Sequence, residues 1–172
     1  MADPDGGPAD VGDLFDRYGA ELRRYCAGRV GASLAEDIVA ETFLIVYERR
    51  ERLGDGPVRA WLYGIATNLL HRHRRTEVRA LRALARTGRD PLVADVAERA
   101  VHRADAAVLW RRLAGVLASL PERQRDVLLL FAVAQLDYDT IARTLGIPLG
   151  SVQSALFRAR GKVRAALAEG EA

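Results

Sequence analysis

The sequence predicts an all-α fold: two small helical domains joined by a flexible linker. Three observations support this. Apolar residues recur at three- and four-residue spacing in each patterned segment. No stretch shows the sustained alternation of apolar and polar residues, bounded by turns, that marks a strand. Glycine and proline interrupt the chain in only a few places, and the segments between them have helix length. With 172 residues, 49% of them apolar, the chain can bury a core but is no larger than one ordinary domain or two small ones.

Residues 1–9 are rich in Gly, Pro and Asp and read as a disordered N-terminus. A first helix carries Val11, Leu14, Phe15, Tyr18, Leu22, Tyr25 and Cys26 on one stripe, and Gly28 and Gly31 end it. Ser33 to Glu36 matches a capping box, which predicts a second helix from Ser33 to about Glu51. Residues 53–57 form a loop, with Pro57 suited to the first turn of a third helix. That helix turns Val58, Trp61, Leu62, Ile65 and Leu69 inward and ends in the basic run from His71 to Arg75. Residues 77–104 are weakly patterned, and Gly88 and Pro91 break any helix continuing through them. The expected division is therefore an N-terminal domain over 10–86, a linker over 87–104 and a C-terminal domain over 105–169. In the last of these, helical periodicity returns from Asp105, and Pro121 opens a further helix.

Residues 138–157 have the layout of a helix-turn-helix. A short helix spans 138–145, a turn spans 146–150, and a second helix starts at Ser151. Ala142 is small enough to sit where the two helices cross, and Gly146 supplies the positive φ that ends the first. Ile141, Leu145, Ile147 and Val152 fill the wedge between them, and Ser151 can cap the second helix and leave its N-terminus free to meet phosphate, which puts Ser151 among the expected DNA contacts. Its exposed face reads Gln153, Ser154, Phe157, Arg158 and Arg160. Gln and Arg pair bidentately with adenine and guanine edges. Arg158, Arg160, Lys162 and Arg164 suit phosphates. Any helical hairpin can show Ala, Gly and Val at these spacings, but here turn, spacing and charge agree on duplex DNA.

Charge supports a polyanionic partner. The net charge is +3, and 25 of the 26 basic residues are Arg. They are unevenly spread: residues 71–89 hold seven Arg and one Glu. On the third helix Arg59, Trp61, Tyr63, Thr67, Asn68, His71, Arg72 and Arg75 interleave aromatic, amide and basic groups. That mixture suits single-stranded nucleic acid, although a solvated basic helix would look the same. Asp37 and Glu41 lie one turn apart on the second helix, and with Phe43 and Leu44 they make a strip for a basic partner.

Several function classes are excluded. There is no nucleophile elbow, no Gly-rich phosphate loop and no supported carboxylate pair, so neither a catalytic residue nor a cofactor is expected. His71 and His73 are two apart, do not share a helix face and are flanked by Arg, so no metal site is expected either. A lone cysteine, Cys26, excludes an intramolecular disulfide and reads as a buried thiol. No apolar run has membrane-spanning length, and the acidic N-terminus is not a secretory signal. A cytoplasmic protein is expected.

Four segments, in this order and spacing, resemble the extracytoplasmic-function (ECF, group IV) sigma factors of bacterial RNA polymerase. Ala35–Leu44 is similar to the motif that contacts the β′ clamp, and Arg59–Leu69 to the segment that melts and captures the −10 element; both belong to sigma region 2. Leu120–Leu128 and Gly150–Arg160 are similar to landmarks of region 4, which reads the −35 element and meets the β flap. The resemblance implies core polymerase and promoter DNA as partners. It also implies that the loop 53–57 and the helix around Asn68 hold a flipped −10 base without ATP or a metal. Family members are often held by an anti-sigma factor, and no feature of the sequence decides that here. Ala40, Gly64, Thr140, Gln153 and Ala155 depart from the family's usual Gln, Arg, acid, base and base. The rival reading is a helix-turn-helix repressor that does not bind core polymerase; it leaves the first 75 residues without a task.

Overall fold

The computed structural model describes residues 10–53, 57–88 and 100–168, with side chains described from residue 106 in the last span. The expected disordered N-terminus 1–9, the tip of the 53–57 loop and most of the expected linker lie outside the described residues. Eight α-helices account for most of the rest, and no strand occurs among the described residues. They are α1 (Val11–Val30), α2 (Ala32–Glu48), α3 (Val58–Arg72), α4 (Arg74–Thr87), α5 (Ala100–Ser119), α6 (Glu122–Ala132), α7 (Tyr138–Leu145) and α8 (Leu149–Ala168). A single 3-10 turn, Arg50–Arg52, follows α2. The all-α expectation holds.

Helix ends follow local chemistry, not always that of the expected residues. Asp10 caps α1 by accepting from the Gly12 amide, and Gly31, at φ 88°, closes it through an N–H bond to the Ala27 carbonyl. Gly28 lies inside the helix. The same Gly31 is the N-cap of α2, which has no side-chain cap, so the expected Ser33–Glu36 capping box does not form. With one residue serving both helices, α2 has already begun at Ala32 and Ser33 falls within its first turn. Pro57 stands one position ahead of α3, as its N-cap. Helix α8 starts at Leu149, so Ser151 lies within its first turn and does not cap it; the Ser151 amide bonds to the Pro148 carbonyl.

Helix α4 is an addition to the sequence reading. The chain turns at His73 and continues as a second helix to Thr87, ended by Gly88 in the left-handed region. The buried stripe of α4 is short: Leu81 is 1% exposed. It joins Leu117, Leu120 and Ala159 of the C-terminal half in a small core. The first turn of α5, from Ala100, likewise lies inside the stretch expected to be linker.

The larger core is continuous across the two halves. Leu22, Tyr25, Cys26, Ile38, Val46, Leu62, Leu69 and Leu70 of the N-terminal half belong to one cluster with Val127, Leu130, Ile141, Val152 and Leu156 of the C-terminal half. Helix α3 is the hinge of this packing, with α1 and α2 on one side and α7 on the other.

Candidate nucleic-acid interface

The expected duplex-binding face of the C-terminal half is the simplest. Asp137 caps α7 by accepting from the Thr140 amide at 2.7 Å, and this bond holds its carboxyl below the usual range. Gly146, at φ 63°, ends α7 as expected, and its amide bonds to the Arg143 carbonyl. Ile141 and Val152 are fully buried in the wedge, and Leu145 and Ile147 pack beside them. Gln153, Ser154 and Arg158 are exposed, and Phe157 is 75% exposed. Phe157 is thus the most exposed large apolar side chain among the described residues. Arg160 instead leans back, its guanidinium 4.5 Å from the centre of the Phe131 ring. Lys162 is exposed, and Ser151 is half-buried. Ala155, one of the positions where the family has a base, is buried.

The expected −10 residues, all on α3 except Arg75, which falls on α4, divide in two. Trp61 is half-buried, while Asn68, Arg72 and Arg75 are exposed. Tyr63 and Thr67, by contrast, are 1% and 0% exposed, so the expectation of two surface contacts is corrected. Tyr63 packs edge-to-face on Tyr25 with ring centres 5.0 Å apart, and burial pushes its hydroxyl up to about 12. The Thr67 and Tyr25 hydroxyls share a hydrogen bond of 2.9 Å. Because α3 is packed on two sides, its buried arc is wider than the single stripe read from the sequence, and it takes in these two amphipathic side chains.

The two remaining expected contacts, Arg59 and His71, and the exposed Arg72 are engaged within the protein. Arg59 pairs with Glu21 at 2.9 Å and donates to the Ala134 carbonyl. Arg72 pairs with Glu41 at 2.8 Å. The His71 ring meets Asp126 of α6 at 2.7 Å. Between α3 and α7 lies a cleft of about 560 Å³ lined by Trp61, Gly64, Asn68, Thr140, Arg143 and Thr144, among others.

Between α1, α4 and α6 lies a buried ion network absent from the sequence reading. Arg29 of α1 bonds Glu77 of α4 and Asp126 of α6, each at 2.6 Å. Arg125 of α6 bonds Glu77 at 3.0 Å and caps the end of α5 through the Leu117 and Leu120 carbonyls. Exposure of these four side chains is 1–3%. Burial alone would pull the Arg29 guanidinium down, but Tyr25, Asp126 and Glu77 hold it up. Burial would likewise raise Asp126, but His71 and Arg29 hold it below the usual carboxylate range. The available signal was a charge on a core-facing stripe: Arg29 between Cys26 and Val30, and Arg125-Asp126 directly before Val127.

On α2, Asp37, Glu41 and Leu44 fall on one outward stripe, and Leu44 is 56% exposed. Phe43 does not join them. It is 6% exposed and stacks edge-to-face on Phe15, which corrects its place in the expected strip. Tyr47, one turn beyond Leu44 and 55% exposed, continues the strip and was missed.

Comparison with known proteins assigns both halves. Residues 14–80 match the family model described as sigma-70 region 2, and residues 110–163 the one described as sigma-70, region 4. The ECF RNA polymerase sigma factor SigL of Mycobacterium tuberculosis (strain H37Rv) is 32% identical over 159 residues, covering 91% of this chain and 88% of that relative. SigM of Bacillus subtilis (strain 168) is 25% identical over 157 residues, 90% of this chain and 93% of its own. Among solved structures, CnrH in complex with the cytosolic domain of CnrY superposes with a TM-score of 0.64 at 25% identity, over 96% of this chain and 92% of that one. RpoE from Bartonella quintana, solved with the anti-sigma factor NepR, shares the fold at a TM-score of 0.63 and 18% identity, over 90% of this chain and 96% of that one.

Proposed function

The chain belongs to the ECF branch of the sigma-70 family, and on that premise we propose how its two halves work at a promoter. It binds core RNA polymerase and directs promoter recognition, −10 melting and transcription initiation. The carrying observation is the pairing, in one chain, of an exposed recognition helix with a second, aromatic and basic helix of region 2 type. A repressor has use for the first but not the second. The family comprises regulators of transcription. Among the described residues no helix is long and apolar enough to cross a membrane, and the site of action we propose is the cytoplasm, where the polymerase is.

Region 4, within the proposed domain 105–169, lays α8 in the −35 major groove. Gln153, Ser154, Phe157 and Arg158 face base edges there, and Lys162, with Arg160 once it leaves Phe131, reaches phosphate. Region 2, within the proposed domain 10–86, holds the melted −10 strand on Trp61, Asn68, Arg72 and Arg75, with Arg59 and His71 available when freed. Tyr63 and Thr67 shape that surface from beneath. Unpairing a base costs a few kcal/mol, and stacking the extruded base on an aromatic ring offsets about 1–3 kcal/mol of it. The strip of Asp37, Glu41, Leu44 and Tyr47 docks on the basic β′ clamp, while region 4 meets the β flap. The solved complexes with NepR and CnrY add an anti-sigma factor as a partner class.

The test is run-off transcription. The protein is added to sigma-free core polymerase on fragmented genomic DNA, and transcript 5′ ends are sequenced. Discrete starts sharing two upstream elements are expected. Asn68→Ala should alter the preference at −10 and Gln153→Ala at −35, each without the other. Duplex binding with no stimulation of transcription would overturn the proposal.

A further inference from the structure

We propose that the cleft between α3 and α7 is a binding site for a small nucleoside phosphate. The inference goes beyond the promoter reading and does not depend on it.

Charge is the first observation. Arg49 at the end of α2, Arg52 in the turn after it and Arg143 of α7 all line the cleft, and all are exposed. None of the three pairs with a carboxylate among the described residues, whereas Arg59, Arg72 and Arg74 are held by Glu21, Glu41 and Glu122. The one side-chain bond of Arg143 among those residues is to the Thr140 hydroxyl, at 3.1 Å. No acidic side chain lines the cleft among the described residues. Three guanidinium groups brought together from two segments repel one another, and each has donors to spare. A phosphate group accepts from such donors in the fork geometry that guanidinium presents.

Shape is the second. The cleft holds about 560 Å³, which is within the range of small-molecule sites. Trp61, Gly64, Ile65 and Asn68 line it at helical spacing, so one face of α3 looks toward α7. Trp61 offers a surface on which a base stacks. Asn68, two turns on, offers an amide to a base edge or a ribose hydroxyl. Gly64 keeps the space between them open, since even a Cβ there would lie 3.3 Å from the Thr144 methyl.

The third observation is where this chain departs from the sequences it resembles. Gly64 stands where an Arg is usual and Thr140 where an acid is usual, and both line this one cleft. A long side chain at 64 would fill it. A carboxylate at 140, one turn from Arg143, would neutralise that guanidinium. With glycine and threonine the cleft is both open and free of negative charge along α7, which suits an anionic guest with a flat ring. Trp61 and Asn68 also belong to the surface proposed for the −10 strand, so nucleotide and strand exclude each other.

The chain has two tryptophans, and Trp110→Phe leaves Trp61 as the reporter. ATP is titrated into that full-length variant with indole excited at its red edge, where adenine does not absorb. Saturable quenching is expected, together with a higher midpoint of thermal unfolding. Adenosine and inorganic tripolyphosphate should each bind about tenfold more weakly, one lacking the charge-assisted bonds and the other the stacking surface. Thr140→Asp should weaken ATP about tenfold as well. It should fold at least as stably as the parent, because an acid suits the first turn of α7. Tripolyphosphate binding as tightly as ATP overturns the proposal, for the cleft would then take any anion and recognise no nucleoside. Unchanged ATP affinity in Thr140→Asp overturns it by placing the nucleotide elsewhere. So does binding of a single-stranded oligonucleotide with no response to ATP, which would give the three arginines to the promoter strand. No polymerase enters the titration, so its failure is separate from failure of the promoter reading, which run-off transcription decides.

Discussion

Thr67 and Asn68 are neighbours on α3 and answer to different physics. Thr67 is buried against the Tyr25 hydroxyl, so Thr67→Val removes a hydrogen bond and leaves that hydroxyl with Arg29 alone. The expected cost is about 1 kcal/mol of stability with start sites unchanged, read by thermal denaturation and 5′-end mapping. A shifted −10 preference would put Thr67 back on the DNA. His71 sets a pH dependence. Asp126 accepts from its ring and raises its pKa above 6.5 against burial, with Glu122 adding and Arg29 opposing. A raised histidine contributes fully below about 6.5, and the contribution is lost as pH climbs through the raised value. Asp126, held low by His71 and Arg29 despite burial, contributes above about 3.8 and fails only in stronger acid. The His71–Asp126 contact between the two halves should therefore contribute most between those values, and the midpoint of thermal unfolding should fall from pH 6 to pH 9. An identical midpoint at both, or the same fall in His71→Gln, would remove His71 from that contact. At this scale the sequence misplaced residues with both an apolar body and a polar atom. Tyr63 and Thr67 read as surface contacts because they interleave with Arg and Asn along α3, and Phe43 as a partner contact because it neighbours Asp37, Glu41 and Leu44.

Elements were legible where local chemistry decides them. Helix α7 spans 138–145 in both the expectation and the structure, because an Asp cap at one end and a glycine able to take φ 63° at the other need no tertiary help. Asp137→Ala should lower the midpoint of thermal unfolding and weaken duplex binding, because α7 positions α8. Unchanged stability would mean that packing of Ile141, not the cap, fixes the start of the helix. Helix α4 was not legible for the opposite reason. Its stripe buries one leucine, Leu81, against residues of α5 and α8 about 40 and 80 positions away, and no window of local sequence contains that partner surface. The capping box at Ser33 failed through competition. Gly31 already served both helices, and one residue in the left-handed region left no room for a second cap.

For the whole molecule, the question is how two units of modest size hold together. Taken singly, each would bury only about 60% of the surface its unfolded chain exposes and would be marginal. The continuous core gives them a shared interior, and the network of Arg29, Glu77, Arg125 and Asp126 crosses the same boundary. Periodicity announced two helical units but said nothing of their contact, because each unit's stripe reads the same whether its neighbour is another helix of that unit or the other half. Coupling of this kind has a calorimetric signature. The free wild-type protein should unfold in one cooperative transition, since neither half can melt without exposing the other's buried face. Asp126→Arg sets a second cation against Arg29, and a buried like-charge pair strongly disfavours contact between α1 and α6. That variant should split the endotherm into two smaller transitions, each half melting at its own midpoint. Core polymerase binding should survive in it, because the α2 strip lies apart from the boundary. Two resolved transitions in the wild-type protein would mean that the halves fold independently and that the shared core contributes no cooperativity. A single transition persisting in the variant would place the coupling in the apolar contacts around Val127, Leu130 and Leu69, with the ions only setting which surfaces meet.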